Sequence, residues 1–331
     1  MRTIGTVVRG VRAPIIREGD NIAEVAAASV MEAWKEAGIE PRDRDVVAVT
    51  ESVVARAQGN YATLDQIAKD VREKTGGGTV GVAFPILSRN RFSLLLRGMA
   101  MGCKKIVLLL SYPSDEVGNG LVDWDKLDEA GVDYIDFYSG IITDAGAEVE
   151  VIFGNRVQTL CDYTDTVITC DIHTRARSKR LLKVAGAKVV LGLDDLLNKS
   201  VDGSGYNAEY GLLGSNKATE ETVKLFPRDC MAVAEELGER LSKASGKHIE
   251  AMVYGDGAFK DPVGKIWELA DPVVSPGYTK GLVGTPNELK LKYLADNDFG
   301  DLRGEALKEA IEERIREKLS LIHISEPTRR S

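Results

Sequence analysis

The sequence predicts an α/β protein in which a doubly wound parallel βαβ segment interrupts a second domain of mixed α+β character. Three observations carry this prediction. From Thr79 to about Leu197, short apolar runs alternate with amphipathic stretches, as parallel strands joined by right-handed helical crossovers require. Residues 200–217 break that rhythm with two glycine-bearing loops, Asp202–Asn207 and Gly211–Lys217. A chain of 331 residues is long enough for two domains, or for one domain carrying a large insertion. The reading therefore assigns residues 1–78 plus 200–319 to one discontinuous domain and residues 79–199 to an insertion.

The elements follow in order. Asp20 or Asn21 caps a helix running to about Ala37, with Ile22, Val25, Ala26, Val30 and Trp34 at helical spacing. Asp45–Thr50 reads as a short buried strand, and residues 62–75 as a helix ending at Gly76-Gly77-Gly78. In the insertion, strands are expected near 80–84, 105–110, 149–153, 166–170 and 188–191. Helices are expected near 88–102, 131–146, 174–185 and 193–198. A helix near 228–245 leads into a strand over Ile249–Val253, and residues 303–318 form a final charged helix. The tail from about Ser320, reading Leu321-Ile322-His323-Ile324-Ser325-Glu326-Pro327-Thr328-Arg329, resembles a translated sequencing adapter, so no function is expected of His323.

The composition excludes some classes. The formal net charge of −8 argues against non-specific nucleic-acid binding, while an anionic small substrate needs only a local basic pocket. The longest apolar runs, such as Ile106–Leu110, are too short to cross a bilayer, and Met1–Val8 reads as an opening strand and not a signal peptide. Cys103, Cys161, Cys170 and Cys230 form no CxxC pair and are expected as reduced thiols of a cytoplasmic protein. Asp171 beside Cys170 raises the thiol pKa, which argues against a thiolate nucleophile there.

The chemistry concentrates in Tyr254–Pro272, directly after the Ile249 strand. Asp256, Asp261, Glu268 and Asp271 are of the type that holds Mg²⁺ or Mn²⁺ against phosphate oxygens, and Lys260 and Lys265 neutralise anionic charge. A solvated surface loop is the competing reading; Trp267 and two Asp-Pro steps favour a fixed one. Asp171-Ile172-His173 after the 166–170 strand suits either a metal pair or a helix cap with a packed histidine. Arg175, Arg177, Lys179 and Arg180 follow, on helix turns whose dipole disfavours cations; a bound anion or simple solvation accounts for them. Arg89 and Arg91 in Ser88–Arg91 suit carboxylate or phosphate, and with the Ser114–Asn119 loop they are expected across a switch point. No GxxxxGK[ST] and no GxGxxG after a strand occurs, so neither a P-loop nor a dinucleotide fingerprint is expected. Gly76-Gly77-Gly78 reads as a linker in preference to a phosphate cradle.

The N-terminal third and the C-terminal half together resemble the coenzyme F420-0:L-glutamate ligase (F420-0:gamma-glutamyl ligase) family. The resemblance runs through Ala13-Pro14-Ile15-Ile16-Arg17-Glu18-Gly19-Asp20, similar to that family's nucleotide-contacting opening loop. It continues in Val46–Gly59, where Glu51 and Ser52 match a Ser/Thr pair and Arg56 matches a lysine. It resumes at Gly211–Asn216, similar to a Gly-Ile-Asp-Ala-Ser-Asn motif, and ends with the strand leading to Asp256, a metal aspartate in the family. The family's first metal aspartate falls on Leu213, and the long gap between the blocks coincides with residues 79–199.

The resemblance implies an acid–amino-acid ligase of an intertwined α/β fold that forms a homodimer. It implies that GTP with Mg²⁺ or Mn²⁺, and K⁺ as an additional ion, activates an acceptor carboxylate as an acyl phosphate. The amine of L-glutamate then forms a γ-linked amide with an F420-0-like or folate-like acceptor. Pro14, Ile15, Glu51, Ser52, Arg56 and Asn216 would contact the nucleotide; Asp256, Asp261, Glu268 and Asp271 the metal; Asp256, Lys260 and Arg56 the reacting groups. Arg89, Arg91, Asp171, His173 and Arg175 would hold the anionic acceptor or glutamate. Partners are then small molecules, with neither nucleic acid nor membrane among them. Two other functions compete: a metal-dependent phosphohydrolase centred on Asp171 and His173, and a nucleotide-binding protein without catalysis.

Overall fold

The computed structural model describes residues 7–112, 126–172, 174–255, 258–260, 263–265, 267–269, 272–283, 298–299 and 301–325. Residues Met1–Gly281 form one compact unit and Leu282–Ser331 a second.

The first unit begins with an extended stretch and helix α1 (Ile22–Glu36), started by Asn21, whose side chain accepts the Glu24 amide at 3.0 Å. Strand β1 (Val46–Thr50), helix α2 (Glu51–Ala57), strand β2 (Tyr61–Thr63) and helix α3 (Leu64–Thr75) follow. Thr63 and Gln66 close a capping box on α3, and Gly76 ends it in the left-handed conformation, φ 77°. The Gly76–Gly78 run is therefore a helix cap and turn leading straight into the strand that starts at Thr79, with the Lys104 amide bonded to the carbonyls of Gly77 and Gly78 at 3.1 and 3.0 Å.

Strands β3 (Thr79–Ala83), β4 (Lys105–Leu110), β5 (Glu148–Phe153), β6 (Thr166–Thr169) and β7 (Val189–Gly192) form a five-stranded sheet. Every pairing is parallel and the order is β5-β4-β3-β6-β7. Helices α4 (Phe92–Met101), α5 (Tyr134–Asp144) and α6 (Arg175–Val184) supply crossovers. This is the expected doubly wound α/β sheet. Alternation along β4 feeds two cores: Ile106, Leu108 and Leu110 face α4 and α5, while Val107 and Leu109 face Leu160 and Leu182. The first core also takes in Leu64, Ile67 and Val71 of α3, and Leu212, Leu213, Val223 and Leu225, so it crosses residues 78–79 and 199–200.

A second sheet joins the ends of this unit. Strand β10 (Glu250–Tyr254) pairs parallel with β1, and β13 (Gly277–Tyr278) pairs antiparallel with β10. Helices α1 and α7 (Cys230–Ser245) cover it through Ala23, Ala27, Val30, Leu237 and Leu241. The strand expected to be buried over Asp45–Thr50 is an edge strand with one covered face: Val46 is 49 % exposed while Val47 and Val49 pack on the helices. A small third sheet has the order β2-β9-β8, from β8 (Asn216–Lys217) and β9 (Thr222–Lys224). The helix expected near 193–198 is a 3-10 turn over Leu193–Asp195, closed by the Asp195 carboxylate on the Gly192 amide at 2.8 Å.

The β10–β13 junction holds a buried carboxylate. Glu250 is 2 % exposed; the Thr279 hydroxyl, the His248 ring at 2.7 Å and the Gly281 amide, in that chemical company, hold its carboxyl below the usual value of 4.5. A carboxyl depressed in the folded state stabilises the fold above its unfolded value and stops doing so as pH falls through its folded value. Melting curves of the natural protein and Glu250→Gln should therefore differ most above pH 4.5 and converge below it. A gap that stays constant on acidification would refute this role.

The second unit contains helix α8 (Gly304–Ser325), opened by Glu305, which pairs with Lys308 at 2.5 Å. Arg314 lies over the Phe299 ring, 5.6 Å from its centroid.

Candidate active site

The site is built where three segments distant in sequence meet. Parallel register sets Thr50 of β1 beside Tyr254 of β10, so the carboxyl ends of the two strands emerge together. After β1 come Glu51, 5 % exposed, and Ser52, in the first turn of α2. After β10 comes Gly255, whose amide is bonded to the Val274 carbonyl at 2.8 Å, and then the acidic segment.

The third contributor is the β2-β9-β8 sheet. Antiparallel pairing aligns Tyr61, Lys224 and Asn216 in one row on one face. Lys224 extends from that row to Ser52, donating to its carbonyl at 3.5 Å and to its hydroxyl. Ser52 and Asn216 are thus joined through a lysine that sequence reasoning did not single out. Its signal was faint: buried Val223 and Leu225 flank it, which turns Lys224 away from the core, but over a strand of three residues.

The opening loop packs on the same frame. The Gly19 amide bonds the Ala57 carbonyl at 2.9 Å, and the Glu18 side chain lies against Gly59, whose φ of 58° favours glycine. Ile16 is buried beneath; Pro14 and Ile15 are exposed, Ile15 by 77 %. Arg56 is exposed in the last turn of α2.

Behind these residues lies a buried polar knot. Asn60, fully buried, donates to the Phe226 carbonyl at 2.8 Å, and its Oδ1 accepts from the Tyr206 amide at 2.9 Å and from the Arg228 guanidinium. Gln58 and Arg228 exchange side-chain-to-backbone bonds at 2.6 and 2.8 Å, and Arg228 stacks 4.7 Å from the Tyr206 ring centroid. This knot fixes the 203–210 loop against the end of α2.

The acidic segment forms a hairpin of β11 (Ala258–Lys260) and β12 (Trp267–Leu269), with Phe259 opposite Glu268 and Lys260 opposite Trp267. Asp256, Asp261 and Asp271 lie outside the described residues, as do His173 and the Ser114–Asn119 loop. Among the described residues, no group of three His, Cys, Asp or Glu side chains could hold a metal ion. Leu213, where the resemblance puts a metal aspartate, is 1 % exposed and lines a cavity of about 20 Å³ with Ile86, Phe92, Ile172 and Leu193. That position offers packing and no ligand atom.

The cavity marks the switch point of the five-stranded sheet, between the carboxyl ends of β3 and β6, where open α/β sheets usually bind ligands. Here the chain fills the crevice itself: Leu212 and Leu213 enter it, and Gly211, φ 50°, fits tightly against the carbonyls of Asp194 and Leu193. Arg91 lines the cavity and Arg89 precedes it on the same loop. Asp171 accepts from the hydroxyls of Thr169, Thr174 and Ser178, the last at 3.1 Å; these are local side-chain bonds, and α6 starts without a side-chain cap. Arg175 and Lys179 turn to Asp194 at 3.0 and 2.7 Å, and Lys179 also reaches Asp195 at 2.6 Å.

The thiols are quiet. Burial, then the charge of Asp171, pushes Cys170 well above the usual thiol range. Burial, then Glu51 and Asp229, pushes Cys230 up to about 12, and burial alone raises Cys103 to about 12. A thiol reagent at pH 8 should leave these three cysteines unlabelled in the native protein and label them in guanidinium chloride. Rapid native labelling of Cys170 would contradict this.

A family model for F420-0:Gamma-glutamyl ligase matches residues 10–320. The chain belongs to the F420-0:gamma-glutamyl ligase family. No curated protein matches it. Membership carries glutamate ligase activity as the class of chemistry. In this family member Gly19 is bonded to the end of α2, and Ser52 is joined to the strand pair bearing Asn216, all within segments that carry the resemblance; Lys224, which makes the second link, lies outside them. No helix among the described residues is long and apolar enough to cross a membrane.

Proposed function

We propose that the chain is a nucleotide-dependent amide ligase that adds L-glutamate through a γ-linkage to the carboxylate of an F420-0-like or folate-like acceptor. The observation that supports this reading is the parallel β1–β10 pairing, which sets the start of α2, with Glu51 and Ser52, beside the end of β10 at Tyr254, two residues before Asp256 in the sequence, with Lys224 crossing to Ser52 from the strand next to Asn216.

In this reading the acceptor carboxylate oxygen attacks the γ-phosphorus of GTP, and GDP leaves. The glutamate amine then attacks the acyl carbon of the acyl phosphate, phosphate departs, and the amine loses a proton. Ser52, Arg56 and Asn216, with Pro14 and Ile15, position the nucleotide, and Lys224 holds Ser52 and adds positive charge near the phosphates. Asp256, with Asp261, Glu268 or Asp271, would hold Mg²⁺ or Mn²⁺; carboxylate oxygens suit such hard cations, which neutralise phosphate charge when bound. Lys260 is assigned to the transferring phosphoryl group. Arg89 and Arg91 serve the anionic acceptor or glutamate, and K⁺ is an additional ion. The active form is a homodimer in the cytoplasm.

Phosphate release from GTP that requires both glutamate and acceptor supports this reading; release without glutamate favours a phosphohydrolase. The buried Leu213 favours one alternative, a nucleotide-binding protein without turnover. That alternative predicts GTP-induced thermal stabilisation with no phosphate release.

A further inference from the structure

Helix α6, Arg175-Ala176-Arg177-Ser178-Lys179-Arg180-Leu181-Leu182-Lys183-Val184, carries five cations and no acidic residue in a chain of net charge −8. The fold divides them. Arg175 and Lys179 turn inward to Asp194 and Asp195. Arg177, Arg180 and Lys183 are exposed, and among the described residues no carboxylate pairs with them. Val184 beside them is 82 % exposed. Like charges three residues apart on a helix repel, and Arg177 also faces the unfavourable end of the helix dipole. All three cations face solvent.

The strip begins near the candidate site. Arg175, two residues before Arg177, bonds the Ile172 carbonyl, and Ile172 shares its cavity with Leu212, Leu213, Gly214 and Ser215, which lead directly into Asn216. From Arg177 to Lys183 the strip extends about 9 Å along the axis of α6.

We infer that the outward face of α6, Arg177, Arg180 and Lys183, binds the oligo-γ-glutamyl chain of a glutamylated acceptor. This rests on the ligase reading and on charge conservation. Each condensation consumes one acceptor carboxylate and one ammonium and brings two carboxylates, so every glutamate added makes the product one charge more negative. A growing product is repelled by an acidic protein unless a local cationic track receives it. The spaced guanidinium and ammonium groups of α6 match successive carboxylates, and exposed Val184 offers apolar surface to the methylene groups between them.

The test is fluorescence anisotropy of the full-length protein with fluorescein-labelled penta-γ-glutamate, alongside the triple variant Arg177→Gln/Arg180→Gln/Lys183→Gln and a labelled single-stranded oligonucleotide. The expected result is binding that weakens with salt and by about tenfold or more in the triple variant, with the oligonucleotide bound more weakly than the peptide. Equal affinity of the two proteins, no peptide binding by the natural protein, or tighter binding of the oligonucleotide would each overturn the inference. Matching circular dichroism melts guard against a folding defect; if the triple variant melts early, Arg180→Gln alone replaces it and must still weaken binding. Glutamate incorporation measured on the same natural protein separates the two readings. Incorporation without peptide binding removes the track and leaves the ligase, whereas binding without incorporation removes the ligase.

Discussion

Replacing Asn60 by alanine is expected to destabilise the protein by about 3–5 kcal/mol, because several buried polar groups lose their partner together. The Asn60 side chain donates to the Phe226 carbonyl, which also accepts from Asn207 at 3.3 Å, and accepts from the Tyr206 amide and the Arg228 guanidinium at a fully buried position. Leaving a buried donor or acceptor unmet costs about 1–3 kcal/mol, more beside a charge. Asn60→Asp keeps the acceptor for Tyr206 and Arg228 but turns a carboxylate oxygen toward the Phe226 carbonyl, so it should recover only part of the loss. Urea unfolding of the three proteins measures this. A loss below about 1 kcal/mol for the alanine variant would mean the knot is not a structural hub.

The second large effect is functional. Lys224→Met removes the cation that ties the β2-β9-β8 sheet to Ser52. It is expected to lower kcat/KM for the nucleotide by about 10²-fold, mainly through KM, and to abolish nucleotide-induced thermal stabilisation. Lys224→Arg keeps the charge with different reach and should recover part of the binding. Steady-state kinetics with varied GTP is the measurement, and an unchanged KM in Lys224→Met would remove Lys224 from the site.

The doubly wound sheet was legible because its central strands, β3, β4 and β6, are short apolar runs that are buried on both faces. The β4 run Lys105–Leu110 is five-sixths buried residues and stands between amphipathic helices, so period and flanks agree. The small sheets were not legible. Strands β8 and β13 have two residues each, and β2 and β9 three, too few to carry a period; long-range pairing makes them. The same blindness concealed Lys224. Val46–Thr50 looked like a buried strand because its composition is apolar, yet it lies at a sheet edge where composition does not report which face is covered. The charges of α6 were visible as a run, but their division was not: Asp194 and Asp195, which neutralise Arg175 and Lys179, come from the turn after the next strand. Nothing in the sequence singles out Asn60, and only its burial reveals a hub.

We propose that the joined ends of β1 and β10 frame a ligase site whose metal carboxylate is Asp256. The measurement that bears on it most directly is incorporation of labelled glutamate from a mixture of protein, GTP, Mn²⁺ and cell extract supplying the acceptor. GTP-dependent labelling of a small molecule by the natural protein, lost in Asp256→Asn, is the expected result. Equal labelling by Asp256→Asn, or no labelling that depends on the protein and GTP, would contradict it.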